Sequence, residues 1–557
     1  MRALLTSLAL VIAASAPARA CPEGDTPFPP QYPDPALFEE GIAAMAGQPP
    51  WHEPLEAVVV PHHLEVPDLV ALGIAIARNA APERILFLFP DHFNQTGRGF
   101  ATTTRDFETV LGHVPNDRAA TRALIEGGLP ESCLFAQDHG IGAVLPFIAH
   151  YLPDVPIVPV ALSIHSRPRD WDRLAELLAP LVGPDTLIVQ STDFSHYLPH
   201  HEARLRDQQV LNILAADDED ALLRLHQPDH IDSLAALYLT RRLTGRPALV
   251  LANRNQQEVT PVRLAETTSY MVIAFSENTG PVATRLVDEE VLVVGGDLFL
   301  GRHMPRLLSD ELAEERTVQT ALAATGGAAL LLNLEGVLLE EMPTNLPHLT
   351  LGMPADLTQH WLGRLNVAAL GLANNHALDL GADGLAETRA HLTRAGVAHF
   401  SHAEGLDISG LSVVGLRDIS NREAPYRDLI AQADLDTLIH PDDQRPVVAF
   451  FHWGREGMAE AGPREALLAR QAMARGVSVI VGAHPHVASS GPVVLDGGDA
   501  ILFFSVGNFL FDQFDQPGPA SSGALVELRV FPQGTVFARQ LPLPNLFDIA
   551  RGRSDAP

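Results

Sequence analysis

Short, uninterrupted apolar runs recur along the chain, separated by stretches whose apolar residues return with helical spacing. A strand buried on both faces has no polar side to alternate with, so this pattern predicts mostly parallel sheets covered by amphipathic helices. The runs predict strands at 57–60, 85–89, 157–162, 186–190, 248–251 and 270–275. A second series follows at 291–294, 329–332, 367–372, 447–451, 477–481 and 501–504, ending in a hairpin of 524–530 and 535–541 around Gly534. Between the two series, 277–288 contains Asn278-Thr279-Gly280-Pro281 and lacks periodicity, as a linker does. The expected organisation is two α/β domains, 56–276 and 289–547, with a Pro-rich arm at 21–55 that carries a short helix near 36–46. A polar tail occupies 548–557.

Residues 1–20 have a different grammar. Arg2, the apolar run 3–14 and Ala18-Arg19-Ala20 form a cleavable export signal. That run is too short to span a bilayer, and no later one is long enough. A periplasmic or secreted protein is expected, without a transmembrane helix in the mature chain. Lipid anchoring through Cys21 is the lesser alternative, because Ala18-Arg19 departs from an aliphatic lipobox. An oxidising compartment permits a Cys21–Cys133 disulfide, with two unpaired thiols as the alternative.

A length of 557 residues exceeds one core, and 46% hydrophobic with 19% charged residues is a globular composition. The net charge of −30 repels nucleic acid and anionic membrane surfaces, and argues against both as partners. A polyanionic or phosphorylated substrate would need a local cationic feature, which a bound metal supplies. All 38 basic residues are arginines, so Schiff-base lysine chemistry and a Walker-type phosphate lysine are excluded.

The predicted strands of the second series end on metal-binding side chains. These are Gly295-Gly296-Asp297, Asn333-Leu334-Glu335-Gly336, Ala373-Asn374-Asn375-His376, His452-Trp453-Gly454 and Gly482-Ala483-His484-Pro485-His486. Open α/β sheets place their sites at this edge, and five consecutive strands ending so is not a chance pattern. Mixed oxygen and imidazole donors suit Mn, Fe or Zn. A bridging carboxylate would hold two such ions roughly 3.5–4 Å apart, a pair able to acidify water and clamp an in-line displacement.

With Ser505-Val506-Gly507-Asn508-Phe509, these motifs occur in the order seen in the CapA family of capsule (poly-γ-glutamate) proteins, which this half resembles over about 291–512. That family is in turn similar to calcineurin-like metallophosphoesterases. The resemblance implies a metallophosphoesterase-like α/β sandwich holding two divalent transition metals. The implied ligands are Asp297, Glu335, Asn375, His452, His484 and His486, with Glu335 bridging. It further implies His376 as general acid, Asp379 as its orienting partner and Asn508 in a supporting role. The phosphoesterase Asp-x-His motif is absent, because Phe299 stands two residues after Asp297; His303 reads as an exposed helix residue. The implied activity is metal-dependent hydrolysis of a phosphoester or a poly-γ-glutamate-like polymer, alongside capsule or envelope assembly proteins. The alternative is a non-catalytic protein that binds the polymer.

The first series ends similarly, at Pro61-His62-His63, Pro90-Asp91-His92 and Asp193-Phe194-Ser195-His196, with Asp138-His139-Gly140 preceding Leu145-Pro146-Phe147. This half resembles the MEMO family (AmmeMemoRadiSam system protein B), whose fold is similar to extradiol dioxygenases. The resemblance implies one metal on His62, His92 and His196, with Asp193 and His139 beside it. Gly142 and Val144 depart from the family's acidic residue and histidine, and Asn253 stands in the segment expected to carry its cysteine. Iron-dependent oxidation in this half is the third reading.

Overall fold

The computed structural model describes residues 26–48, 51–277, 280–281, 289–347, 349–421, 429–439, 445–512 and 523–553. The expected export signal, the Cys21 half of the expected disulfide and most of the expected 277–288 linker lie outside the described residues. No helix among the described residues is long and apolar enough to cross a membrane.

Eight of the first-half strands assemble into one sheet, and Phe107–Thr109 and Gly112–Val114 form a separate two-stranded pair. Ile157–Leu162, Arg84–Pro90, Thr186–Ser191 and Ala57–Val60 lie parallel in that spatial order. Thr267–Phe275 pairs antiparallel with Ala57–Val60 and continues the sheet to Phe194–Leu198 and Ala248–Asn255. The parallel strands are buried almost throughout, which is why their sequences do not alternate. Their carboxyl ends share one edge, and that edge delivers His62, His92 and the turn after Ser191 to one place.

The second half builds two large sheets, beside a two-stranded pair of Val337–Leu339 and Gly352–Pro354. One runs Ala398–Phe400, Val367–Gly371, Ala329–Leu334, Glu290–Leu298, Gly523–Val530 and Val536–Leu543, with Asn508–Leu510 also paired to Glu290–Leu298. The other runs Glu404–Ile408, Leu411–Arg417, Val447–His452, Val479–Ala483, Ala500–Phe503 and Val493–Leu495. Val294, Leu331, Val413, Phe450 and Val481 form the core between the sheets. Helices Glu311–Thr325, Ala355–Arg364 and Gly381–Arg394 cover one outer face through Val318, Trp361 and Leu392. Pro463–Met473 covers the other through Leu468 and Ala472. The result is a helix–sheet–sheet–helix sandwich. The strand expected at 477–481 is found at Val479–Ala483, because Gly476, at φ 86°, turns the chain and two residues are spent reaching the sheet.

The halves interlock. The hairpin of Gly523–Val530 and Val536–Leu543 places Phe531 and Phe537 in the core of the first half. On helix His200–Ala216, Gln208 donates through Nε2 to the Val536 carbonyl (2.8 Å) and accepts from the Val536 N–H (2.9 Å), as a strand neighbour would. Beside it the fully buried Asp207 accepts from Ser195 Oγ (2.6 Å), Gln533 Nε2 (3.1 Å) and Asn253 Nδ2 (3.3 Å).

Candidate metal centres

In the second half the site forms where the carboxyl ends of strands from both sheets meet. Asp297 ends Glu290–Leu298, Glu335 follows Ala329–Leu334, His452 closes Val447–His452, and His484 and His486 follow Val479–Ala483. Two buried donor groups share Glu335: Asp297, Glu335 and His486 on one side, and Glu335, His452 and His484 on the other. His486 Nδ1 lies 3.2 Å from Asp297 Oδ2 and 3.9 Å from Glu335 Oε2; His452 Nε2 lies 3.8 Å from Glu335 Oε1. Bonds of about 2.1 Å in tetrahedral geometry separate donors by roughly 3.4 Å, so these residues fit transition-metal ions. Asn375 joins them, with Oδ1 2.7 Å from His452 Nε2.

A hydrogen-bonded chain of amides holds the ligands in place. Asn333 Nδ2 donates to Asp297 Oδ1 (2.8 Å), Asn374 Nδ2 donates to Asn333 Oδ1 (3.0 Å), and Asn374 Oδ1 accepts from the His376 N–H (3.1 Å). His484 and His486 have φ of 96° and 61°, a region that non-glycine residues occupy at a cost of about 1–3 kcal/mol and mostly at functional sites. Asn508 Oδ1 lies 2.8 Å from His486 Nδ1. The Asp297 strand can sit this close to the Gly507 turn because position 296 is glycine: a Cβ there would stand 1.8 Å from the Gly507 oxygen.

His376 flanks the ligands. Its Nδ1 lies 2.8 Å from Asp379 Oδ2, which also accepts from the Leu351 N–H (2.8 Å), and its Nε2 lies 4.0 Å from Glu335 Oε1. Burial, then the neighbouring Asp297, pushes the Glu335 carboxyl well above its ordinary range. Burial, then His484 and His486, holds His452 well below its own. Burial opposes a charge on His486, yet Glu335 and Asp297 outweigh it and push that imidazole up to about 10. Two buried carboxylates facing one another are the arrangement that a cation relieves. Phe299 packs against Phe511 in the core, the rings tilted by 36° with centroids 5.1 Å apart, and His303 is exposed.

The first half gathers a second cluster. His62, His92 and His139 form one donor group, and His62, Asp193 and Asp232 another. His196 joins through Asp232, its Nε2 lying 4.0 Å from Asp232 Oδ2. His92 Nδ1 is held by Asp138 Oδ1 (2.7 Å), and His62 Nδ1 lies 3.1 Å from Ser191 Oγ. Burial opposes a charge on His92, but hydrogen bonds to Asp138 and Asp232 push it up to about 10. Burial, then His92, brings His139 down to about 4. Burial also holds the deeper His62 well below its usual value. Asn253, in the segment where a cysteine was expected, faces the domain junction instead, bonded to Asp207 and Thr535 Oγ1.

The sequence reading missed Asp232, Asp138, Asn333 and Asn374. Asn333 and Asn374 lie inside the motifs quoted for other residues. Asp232 sits in an irregular segment whose sequence carries no signal of its own.

Residues 40–232 match the family of Memo-like proteins, and residues 291–405 with 419–513 match the bacterial capsule synthesis protein family PGA_cap. The chain joins a Memo-like region to a PGA_cap region. The Memo-like region is similar to MEMO1 family protein MK0963 of Methanopyrus kandleri, 30% identical over 31% of this chain and 64% of that protein. The chain thus spans less than two thirds of that relative. The PGA_cap region is similar to the capsule biosynthesis protein CapA of Bacillus anthracis, 26% identical over 48% of this chain and 70% of that protein. A hypothetical protein of known structure from Thermus thermophilus aligns over 46% of this chain and 100% of its own, at 15% identity and a TM-score of 0.27.

Proposed function

We propose that the PGA_cap region is a dinuclear metal-dependent hydrolase. The observation that carries this reading is the sharing of Glu335 between two buried donor groups. Glu335 would be shared by two divalent ions of the Mn, Fe or Zn class, with Asp297 and His486 holding one and Asn375, His452 and His484 the other. Ions bound there supply Lewis acidity and lower the pKa of water. Asn333 fixes the Asp297 carboxylate, and Asn508, with Oδ1 beside the same His486 Nδ1 that faces Asp297, lines the site. Asp379 holds His376 by Nδ1, so Nε2 faces the site and gives its proton to the leaving group. The substrate is a phosphoester or the amide of a poly-γ-glutamate-like polymer. Export by the signal at 1–20 would bring the enzyme to such a polymer in the envelope, beside capsule-assembly partners. The domain boundaries are those of the sequence reading, and His62, His92 and His196 would hold a third metal in the Memo-like region.

Full-length protein supplied with Mn²⁺ is expected to hydrolyse bis-p-nitrophenyl phosphate or poly-γ-glutamate, and Asp297→Ala and His484→Ala each to abolish turnover. Near-stoichiometric transition metal should be found in the purified chain; its absence after reconstitution removes this mechanism. The second reading, polymer binding without turnover, is favoured by Phe299 standing where the phosphoesterases have a histidine. Polymer affinity without turnover, unchanged in His376→Ala, would establish it.

A further inference from the structure

The first-half cluster holds an acidic residue at its centre. Asp232 Oδ2 lies 3.3 Å from His62 Nε2, 3.8 Å from His92 Nε2 and 4.0 Å from His196 Nε2. Two imidazoles that follow strand ends, His62 and His92, and one from within the strand Phe194–Leu198, His196, thus aim the same ring nitrogen at one carboxylate. His62 Nε2, His196 Nε2 and Asp232 Oδ1 are buried and make no hydrogen bond. Asp232 is also anchored. Its Oδ2 accepts from the Asp193 N–H (3.2 Å), and its own N–H donates to the Asp193 carbonyl (3.1 Å). The outer nitrogens of the rings are occupied, His62 Nδ1 against Ser191 Oγ, His92 Nδ1 against Asp138 and His196 Nδ1 against Thr268 Oγ1 (3.2 Å). Ligating histidines are held in this way, with the far nitrogen fixed and the near one free.

We propose that Asp232 is a direct ligand, closing His62, His92 and His196 into a mononuclear set of three imidazoles and one carboxylate. The proposal rests on the three-imidazole reading and goes beyond it by assigning the fourth donor and, through it, the ion. The separations of the three imidazole nitrogens from Asp232 Oδ2, 3.3–4.0 Å, surround the roughly 3.4 Å edge of a tetrahedron with bonds of about 2.1 Å. An anionic oxygen donor favours a divalent ion such as Zn²⁺ or Fe²⁺ over soft Cu⁺, which prefers sulfur. Asp193 accepts from the His62 N–H (3.1 Å), and its Oδ2 lies 2.7 Å from His63 Nδ1 and 3.3 Å from His62 Nε2; it acts as a positioning residue.

The test uses the full chain carrying Asp297→Ala and His484→Ala, so that the Memo-like site is read alone. Zn²⁺ and Cu⁺ are titrated in competition with chromophoric chelators, and bound Co²⁺ is followed by its visible spectrum. One Zn²⁺ per chain is expected. Asp232→Asn, which keeps an oxygen for the Asp193 N–H, should weaken Zn²⁺ by about tenfold or more and alter the Co²⁺ bands. Asp232→Cys should raise the Cu⁺ preference over Zn²⁺ by a similar factor. Zn²⁺ affinity and Co²⁺ bands unchanged in Asp232→Asn, or an unchanged metal preference in Asp232→Cys, overturns the assignment. If His62→Ala abolishes binding while Asp232→Asn does not, the three-imidazole site stands and Asp232 is excluded from it. Absence of binding in the parent chain overturns both.

Discussion

Asp207 makes the junction between the two halves sensitive to pH. Its carboxyl is fully buried, and burial pushes it from an ordinary 3.8 up to about 6, despite donors from Ser195, Gln533 and Asn253. Between these two values the folded chain holds a proton that the unfolded chain has released, so raising the pH favours unfolding. The stabilisation is complete below pH 3.8 and is lost as the pH rises through about 6. A move of that size corresponds to an order of magnitude of about 3 kcal/mol. Asp207→Asn is neutral throughout and keeps one oxygen to accept. Urea unfolding, followed by tryptophan fluorescence between pH 4 and 7, should show wild type losing about 3 kcal/mol relative to the variant. The buried Glu335 and Asp232 titrate in both proteins and cancel in the difference. Stability curves that stay parallel across this range would refute the reasoning.

Two further outcomes follow from the second-half geometry. Asn333→Ala, which frees the Asp297 carboxylate without removing a ligand, is expected to lower metal affinity by about 10–100-fold in a chelator competition. Gly482→Ala would place a Cβ 1.9 Å from the Phe504 oxygen, a backbone atom that cannot swing aside. A destabilisation of about 1–3 kcal/mol is expected, read as a lower denaturant midpoint.

Much of this arrangement is legible in the sequence. The parallel strands can be read because burial on both faces removes polar residues from them, as in 57–60 and 157–162. The candidate ligands can be read because such strands end abruptly, and a histidine or acid immediately after an apolar run is conspicuous. The same uniformity hides the partition into sheets: Val294 and Val413 lie on facing sheets, and neither sequence says which. Leu411–Arg417 escapes the pattern because Ser412 and Gly415 break its apolar run, although both are buried in the sheet. Asp232 is invisible for a different reason. Its meaning comes from three imidazoles that arrive from remote positions, and no local period records such a meeting.

The hairpin that ends the second half has a consequence for how the chain acquires its structure. Phe531 and Phe537 belong to the core of a sheet whose own strands end at Phe275. The amino-terminal half therefore leaves the ribosome with part of its interior still unmade, and waits for nearly the whole remaining chain to supply it. A fragment cut within 277–288 would expose that unfilled interior and leave Gln208 and Asp207 without their partners from the hairpin. Neither half is a spare part; each is finished by the other.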